Sequence, residues 1–387
     1  MKHACSAFLL VGVLLSCNPS HADTTVDYAI GSGFSSNIFE DTTDLPSVFS
    51  EAKLGLRGSL DLEGTTLSYN VHQTERRVRS YDFADGRRST AEIGYKADLS
   101  EALSVSLATS LTREEKGDVY LIAPNLPLGY RETNLLFDNA ASLSLEAGGG
   151  KTTFSAGYAA IDRGDARFIL PGLKPTRLEA EVDAVEFSGN HVRPLFGGEG
   201  GVYAQYRRSI VTGADQAAFG RLPAETLRGS LAYGRRIGPD IKLLADIGTV
   251  AVFNSRLNDD GRPRPYLRAE AEWKAPADLT LSAGYLRDMA VTGIDDAVAE
   301  YVGTWKLAAT RPVTDRVEAG IGYERADSSW LAADYSTTTE RWTAVAKLAL
   351  PAGSAIVVEY GRLNRQEANA AGNFKAHQFA ARLAGSF

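Results

Sequence analysis

Three observations predict an all-β chain that closes into a transmembrane, antiparallel, up-and-down β-barrel of about eighteen strands. First, apolar and small side chains recur at every second position in segment after segment. That period belongs to a strand with one wet and one apolar face, not to a helix. Second, short connectors rich in Gly, Pro and Asp alternate with long polar ones. Tight turns on one side of a membrane and loops on the other give this alternation. Third, the chain ends in Phe379, Ala381, Leu383, Gly385 and Phe387, apolar or small at alternate positions, with Gln378, Ala380, Arg382, Ala384 and Ser386 between them. In a strand these two sets occupy opposite faces.

The N-terminal end reads as a secretory signal over residues 1–22. Met1-Lys2-His3 gives a short positive start, Phe8 to Leu15 is apolar, and Ser20-His21-Ala22 supplies small residues before Asp23. The apolar run is too short for a membrane helix. Cleavage after Ala22 leaves a single barrel domain over residues 23–387. Leu14-Leu15-Ser16-Cys17 also resembles a lipobox, which would leave a lipidated Cys17. With cleavage after Ala22 both cysteines, Cys5 and Cys17, are lost, so the barrel segment holds no thiol. A thiol-free chain crosses an oxidising periplasm without mispaired disulfides and offers no thiolate nucleophile or metal ligand.

The net charge of −7 is spread along the chain, which argues against nucleic acid as a partner. Hydrophobic residues make up 44% of the chain and the mean hydropathy is −0.17. Both suit a barrel whose alternate residues meet lipid. After Leu15 no apolar stretch approaches the length of a membrane helix.

The clearest strand segments are Leu67-Tyr69-Val71, Ala91-Ile93-Tyr95-Ala97, Leu103-Val105-Leu107-Thr109-Leu111, Ile241-Leu243-Ala245-Ile247, Leu267-Ala269-Ala271-Trp273, Leu279-Leu281-Ala283-Tyr285, Val317-Ala319-Ile321-Tyr323 and Trp342-Ala344-Ala346-Leu348. Expected tight turns are Asp61 to Gly64, Asp98 to Glu101, Gly148 to Gly150, Gly238 to Asp240, Pro276 to Asp278, Pro312 to Thr314 and Pro351 to Gly353. Expected long loops include Ser35 to Phe49, Val78 to Gly86, Glu115 to Arg131, Asp162 to Arg177 and Thr212 to Glu225. Between Glu179 and Tyr206 the alternation slips phase, which a β-bulge or a missed strand pair would explain. Strands and loops together use up the barrel segment, so no plug domain is expected.

Alternation sorts the charged residues. The wet, lumen-lining set includes Arg57, His72, Arg76, Glu92, Lys96, Arg207, Arg236, Lys242, Arg268, Glu270, Glu272, Arg316, Glu318, Arg341 and Arg382. Such residues either pair across strands or form a track for anionic and neutral polar solutes. On the other face a Tyr-x-Arg spacing recurs at Tyr206/Arg208, Tyr285/Arg287, Tyr323/Arg325 and Tyr360/Arg362. The tyrosines read as an aromatic girdle. Arg208, Arg287, Arg325 and Arg362 either reach lipopolysaccharide phosphates or begin solvated loops. In the loop Glu115 to Arg131, Leu121, Ile122, Leu126 and Leu128 are many apolar side chains for a solvated segment. They fold inward as a constriction or cap neighbouring loops.

Catalysis is not expected. Beyond residue 22 the chain has only His72, His191 and His377, with no nucleophile elbow, phosphate loop or metal-ligand spacing. No cofactor or metal site is expected either.

The C-terminal pattern, with Phe379, Leu383 and Phe387 as its apolar anchors, resembles the signal that the barrel-assembly machinery of the Gram-negative outer membrane reads. Gly33-Phe34-Ser35-Ser36-Asn37-Ile38-Phe39 resembles the Gly-x-x-Asp-Asn-Ile-Phe segment of the outer-membrane β-barrel porin family, second type, with Ser36 in place of the usual Asp. That resemblance implies an outer-membrane barrel in contact with membrane lipid and lipopolysaccharide. It further implies a conduit for capsular polysaccharide or exopolysaccharide working with periplasmic export components, and no catalytic residues. The sequence thus leaves two functions open: a channel for polar solutes or polysaccharide, or a structural or adhesive barrel whose lumen is blocked and whose loops bind ligands.

Overall fold

The structure, a computed structural model, describes residues 22–123, 126–254, 261–290, 299–331, 334–368 and 371–387. The leader through His21, Cys5 and Cys17 included, lies outside the described residues.

The wall begins with β1 (Ala22–Ser35), β2 (Ser47–Leu62), β3 (Thr65–Val78), β4 (Gly86–Asp98), β5 (Leu103–Ala123), β6 (Leu126–Ala147) and β7 (Gly150–Asp162). A two-residue strand, β8 (Arg167–Phe168), follows in a loop. The wall resumes with β9 (Asp183–Leu195), β10 (Gly198–Ile210), β11 (Glu225–Ile237), β12 (Ile241–Phe253), β13 (Arg264–Ala275) and β14 (Leu279–Ala290). It ends with β15 (Glu300–Thr314), β16 (Val317–Trp330), β17 (Ser336–Ala349), β18 (Ser354–Glu367) and β19 (Phe374–Ser386). One short helix, α1 (Gly213–Phe219), lies in the loop between β10 and β11.

Every neighbouring pair is antiparallel, and β1 pairs with both β2 and β19, so the sheet has no free edge. Setting aside β8, which touches only the far end of β6, eighteen strands form the closed wall. Closure is the physical requirement: in a bilayer an unpaired edge would leave its N–H and C=O groups without partners. At the seam Phe34 faces Phe379 and Ile30 faces Leu383. Val26 and the terminal Phe387 exchange two backbone hydrogen bonds of 2.8 and 3.0 Å.

The short turns share one end with both termini. In Gly148-Gly149 and Phe196-Gly197 both central residues have positive φ, the handedness that matches strand twist in a two-residue hairpin. Phe196 takes the first position at φ 48°, and Gly197 the second at φ 75°, where the absence of a Cβ removes the steric cost. This clean hairpin also disposes of the expected irregularity before Tyr206. The loop runs on through Val182, and β9 then holds one phase from Asp183 against both neighbours. Neither a bulge nor a missed pair is present there.

Two further expectations need correction. Pro312 to Thr314 is not a turn; β15 continues through it with a register shift, and Asp315-Arg316 turns the chain. Glu115 to Arg131 is not a loop either. β5 and β6 remain paired through Leu121↔Pro127 and extend beyond the rim as a long hairpin. Of its apolar side chains Leu128 is buried, whereas those of Leu121, Ile122 and Leu126 lie outside the described residues.

Candidate functional site

Alternation along each strand gives the wall two chemically different faces. Ile30, Leu54, Leu107, Phe154, Leu231, Ile247, Ile321 and Leu383 are exposed on the outer face, and Leu231 reaches 66% exposure. In a water-soluble protein such a band would be an association hazard; here it is the lipid contact.

Register places Arg57, His72, Arg76, Glu92, Lys96, Arg207, Arg236, Lys242, Arg268, Glu270, Glu272, Glu318, Arg341 and Arg382 on the opposite, inner face. Arg316 is the exception: it sits in the turn after β15, off the wall. Many inner charges pair across strands. Arg57 meets Asp27 at 3.0 Å, Lys242 meets Glu272 at 3.4 Å and Lys306 meets Glu324 at 3.4 Å. Arg382 joins Glu359 and lies 3.8 Å from Glu51. Arg268 instead pairs along its own strand with Glu270, at 2.8 Å, and Asn70 donates to Glu92 at 2.8 Å. These exposed pairs each contribute little to stability. Their chief effect is to keep the inner face wet and of mixed sign.

Alternation alone did not draw attention to one inner cluster. The Arg228 guanidinium lies 4.9 Å from the Tyr203 ring and 4.7 Å from the Tyr266 ring. It donates to Asp288 at 2.6 Å and to the Tyr203 hydroxyl at 3.2 Å. The Tyr266 hydroxyl in turn donates to Asp246 at 3.2 Å. Leu227 and Leu231, on the outer face, were the available signal: they assign Arg228 and Ser230 to the lumen.

The long-loop end is partly covered from within. Gly33 has no side chain because a Cβ there would come within 2.5 Å of the Phe49 ring. Phe49, Val78 and Ala380 form a buried inner-face cluster on which Ile38, Tyr81 and Ala84 pack from two loops. Asn37, fully buried, donates to the Asp41 carbonyl at 2.5 Å and so closes the first loop. Phe39 stacks on Phe83 with ring centroids 5.6 Å apart. The segment Gly33 to Phe39 therefore turns the first long loop back over the inner wall, which is a structural role. Across the barrel Leu222 and Ala224, from the loop carrying α1, pack with Val250, Val252 and Tyr266.

Arg208, Arg287, Arg325 and Arg362 fall on the outer face. Arg208 is 3.6 Å from Glu225, Arg287 lies 4.7 Å from the Tyr301 ring, and Arg325 is 3.0 Å from Asp327. Below them the aromatics pair across strands: Tyr285 with Trp305 at 4.3 Å and Tyr323 with Trp342 at 4.5 Å. Phe379, Leu383 and Phe387 are also exposed on this face, and Phe387 lies 6.1 Å from Tyr28. Among the described residues no group of His, Cys, Asp and Glu is arranged to hold a metal ion.

No family model and no curated protein matches the chain. Among solved structures it is similar to a mutant of the ferric enterobactin receptor PfeA from Pseudomonas aeruginosa, with TM-score 0.53 and 11% identity over 94% of this chain and 80% of that one. It is similar also to the siderophore receptor PirA from Pseudomonas aeruginosa, with TM-score 0.52 and 12% identity over 96% and 81%. The copper transporter OprC gives TM-score 0.52 and 10% identity over 95% and 80%. At such identities the likeness is one of fold. The chain has the β-barrel fold of outer-membrane transporters, and its place is the outer membrane.

Proposed function

We propose that the barrel is a channel, through which polar solutes pass or capsular or exopolysaccharide is exported, as in the second-type porin family that Gly33 to Phe39 resembles. The observation that carries this reading is the inner wall. Cations and carboxylates are interspersed along it: Lys96 pairs with Asp98 on its own strand, Lys242 with Glu272 and Arg382 with Glu359 across strands, and Arg341 reaches Glu40 of the first long loop. A wall of this strand number is wide enough for an aqueous bore. Such a lining favours hydrated polar solutes over apolar ones, and polysaccharide would pass by exchanging hydrogen bonds along the charged pairs.

Within this reading the chain is not an enzyme, periplasmic export components feed the turn end, and Arg208, Arg287, Arg325 and Arg362 meet lipopolysaccharide phosphates. Phe379, Leu383 and Phe387 serve the barrel-assembly machinery. The inward packing of Ile38, Tyr81, Ala84 and Leu222 favours a second reading, a surface barrel that binds ligands through loops closed over a blocked lumen.

Planar-bilayer recording of the refolded protein separates the two. The channel reading expects discrete conductance steps with modest ion selectivity. Folded protein that inserts without steps would support the blocked barrel. For the export conduit, deleting the gene is expected to remove surface polysaccharide.

A further inference from the structure

Arg76 stands on the inner wall with its guanidinium against an aromatic ring and, among the described residues, no carboxylate in close contact. Its guanidinium lies 4.2 Å from the Phe49 ring, which fixes its plane. The side chain is half-buried, and its Nε is out of solvent with no hydrogen-bond partner. No carboxylate among the described residues lies within ion-pair distance of it. Glu51, directly opposite in register, lies 3.8 Å from Arg382 instead. Withdrawing a guanidinium from water without a counter-charge is costly, so its usual setting includes an anion.

The surroundings indicate which anion. Arg76 lines a cavity of about 330 Å³ between the inner faces of β2 to β5 and the first two long loops. The other charges on its wall cancel locally. Arg88 is 3.7 Å from Glu114, and Lys116 is 2.5 Å from Asp118. Arg87 pairs with Glu75 and Glu115 with Arg113, each at 2.7 Å. Glu51 shares Arg382 with Glu359, so the charges balance overall, and Arg76 is the cation on this wall without a close carboxylate among the described residues. Ile38, Phe39 and Ala84 supply an apolar side to the same cavity. We propose that this cavity is a binding station for a small organic carboxylate of about monosaccharide size, taken by the flat Arg76 fork as a bidentate pair with its carbon skeleton against Ile38 and Phe39. As a step on the route of a solute the station rests on the channel reading, but binding itself does not require an open bore.

The test is calorimetric titration of the folded protein in detergent micelles with sodium D-gluconate, alongside D-glucose and inorganic phosphate. Gluconate is expected to bind with one site per chain, glucose not measurably, and phosphate at least tenfold more weakly. Arg76→Gln is expected to weaken gluconate at least tenfold, Arg76→Lys to recover part of that loss, and Phe49→Leu to weaken it several-fold. Folding of each variant is checked by its heat-dependent gel mobility, and Glu51→Gln, which leaves Arg76 intact, is expected to tighten binding. Equal binding of glucose and gluconate, no binding of gluconate, or an unchanged affinity in folded Arg76→Gln would overturn the proposal. Binding without conductance would overturn the channel reading and leave the station standing.

Discussion

Replacing Ile247 by arginine is expected to destabilise the folded barrel by about 2–4 kcal/mol, the cost of a cation near the bilayer midplane. Ile247 is the central residue of β12 and is 61% exposed on the outer face. Leu244, three residues away, is on the inner face, beside Lys242 and Asp246 in the alternation. Leu244→Arg is therefore expected to cost under about 1 kcal/mol, since its charge meets water and carboxylates. Denaturant-induced unfolding from lipid vesicles, followed by tryptophan fluorescence, reads both values. Equal losses would show that β12 does not separate lipid from water.

Removal of Arg228 is expected to produce the second large effect. Arg228 and Asp288 are 2.6 Å apart, with side chains only 17% and 24% exposed, so breaking the pair leaves a carboxylate with little water to replace its partner. Arg228→Ala is expected to cost about 3 kcal/mol, part of it from lost contact with Tyr203 and Tyr266. Asp288→Ala should cost a similar amount. The double variant should cost less than the sum by at least about 1.5 kcal/mol, because it orphans neither charge. The same vesicle unfolding assay supplies the cycle. Additive losses would mean that the pair does not brace β11 against β14.

Much of the wall was legible because membrane burial imposes a strict period. Once Leu243, Ala245 and Ile247 are assigned to lipid, Lys242 and Asp246 have only the lumen left, and the same logic places Arg268, Glu318 and Arg382. Arg316 escaped it because parity fixes a face only inside a strand, and β15 ran past Pro312 to turn later. The β5–β6 extension was hidden for the opposite reason: beyond the rim both faces are wet, so Glu115 to Arg131 lost the alternation while keeping its pairing. The coverage of Phe49 by Ile38 and the gathering of Arg228, Tyr203, Tyr266 and Asp288 depend on loop return and strand tilt. No single-strand pattern carries that information, although Gly33, obligatory beneath the Phe49 ring, was its one visible trace.

The central claim is a sealed cylinder with an apolar outside and a wet inside, and single cysteines along β12 test it most directly. Ser substitution of Cys5 and Cys17 leaves a chain free of other thiols, so each position from Lys242 to Thr249 reports alone. In vesicle-embedded protein, a water-soluble maleimide is expected to label positions 242, 244, 246 and 248 and to spare 243, 245, 247 and 249. Uniform labelling, or the reverse alternation, would contradict the barrel.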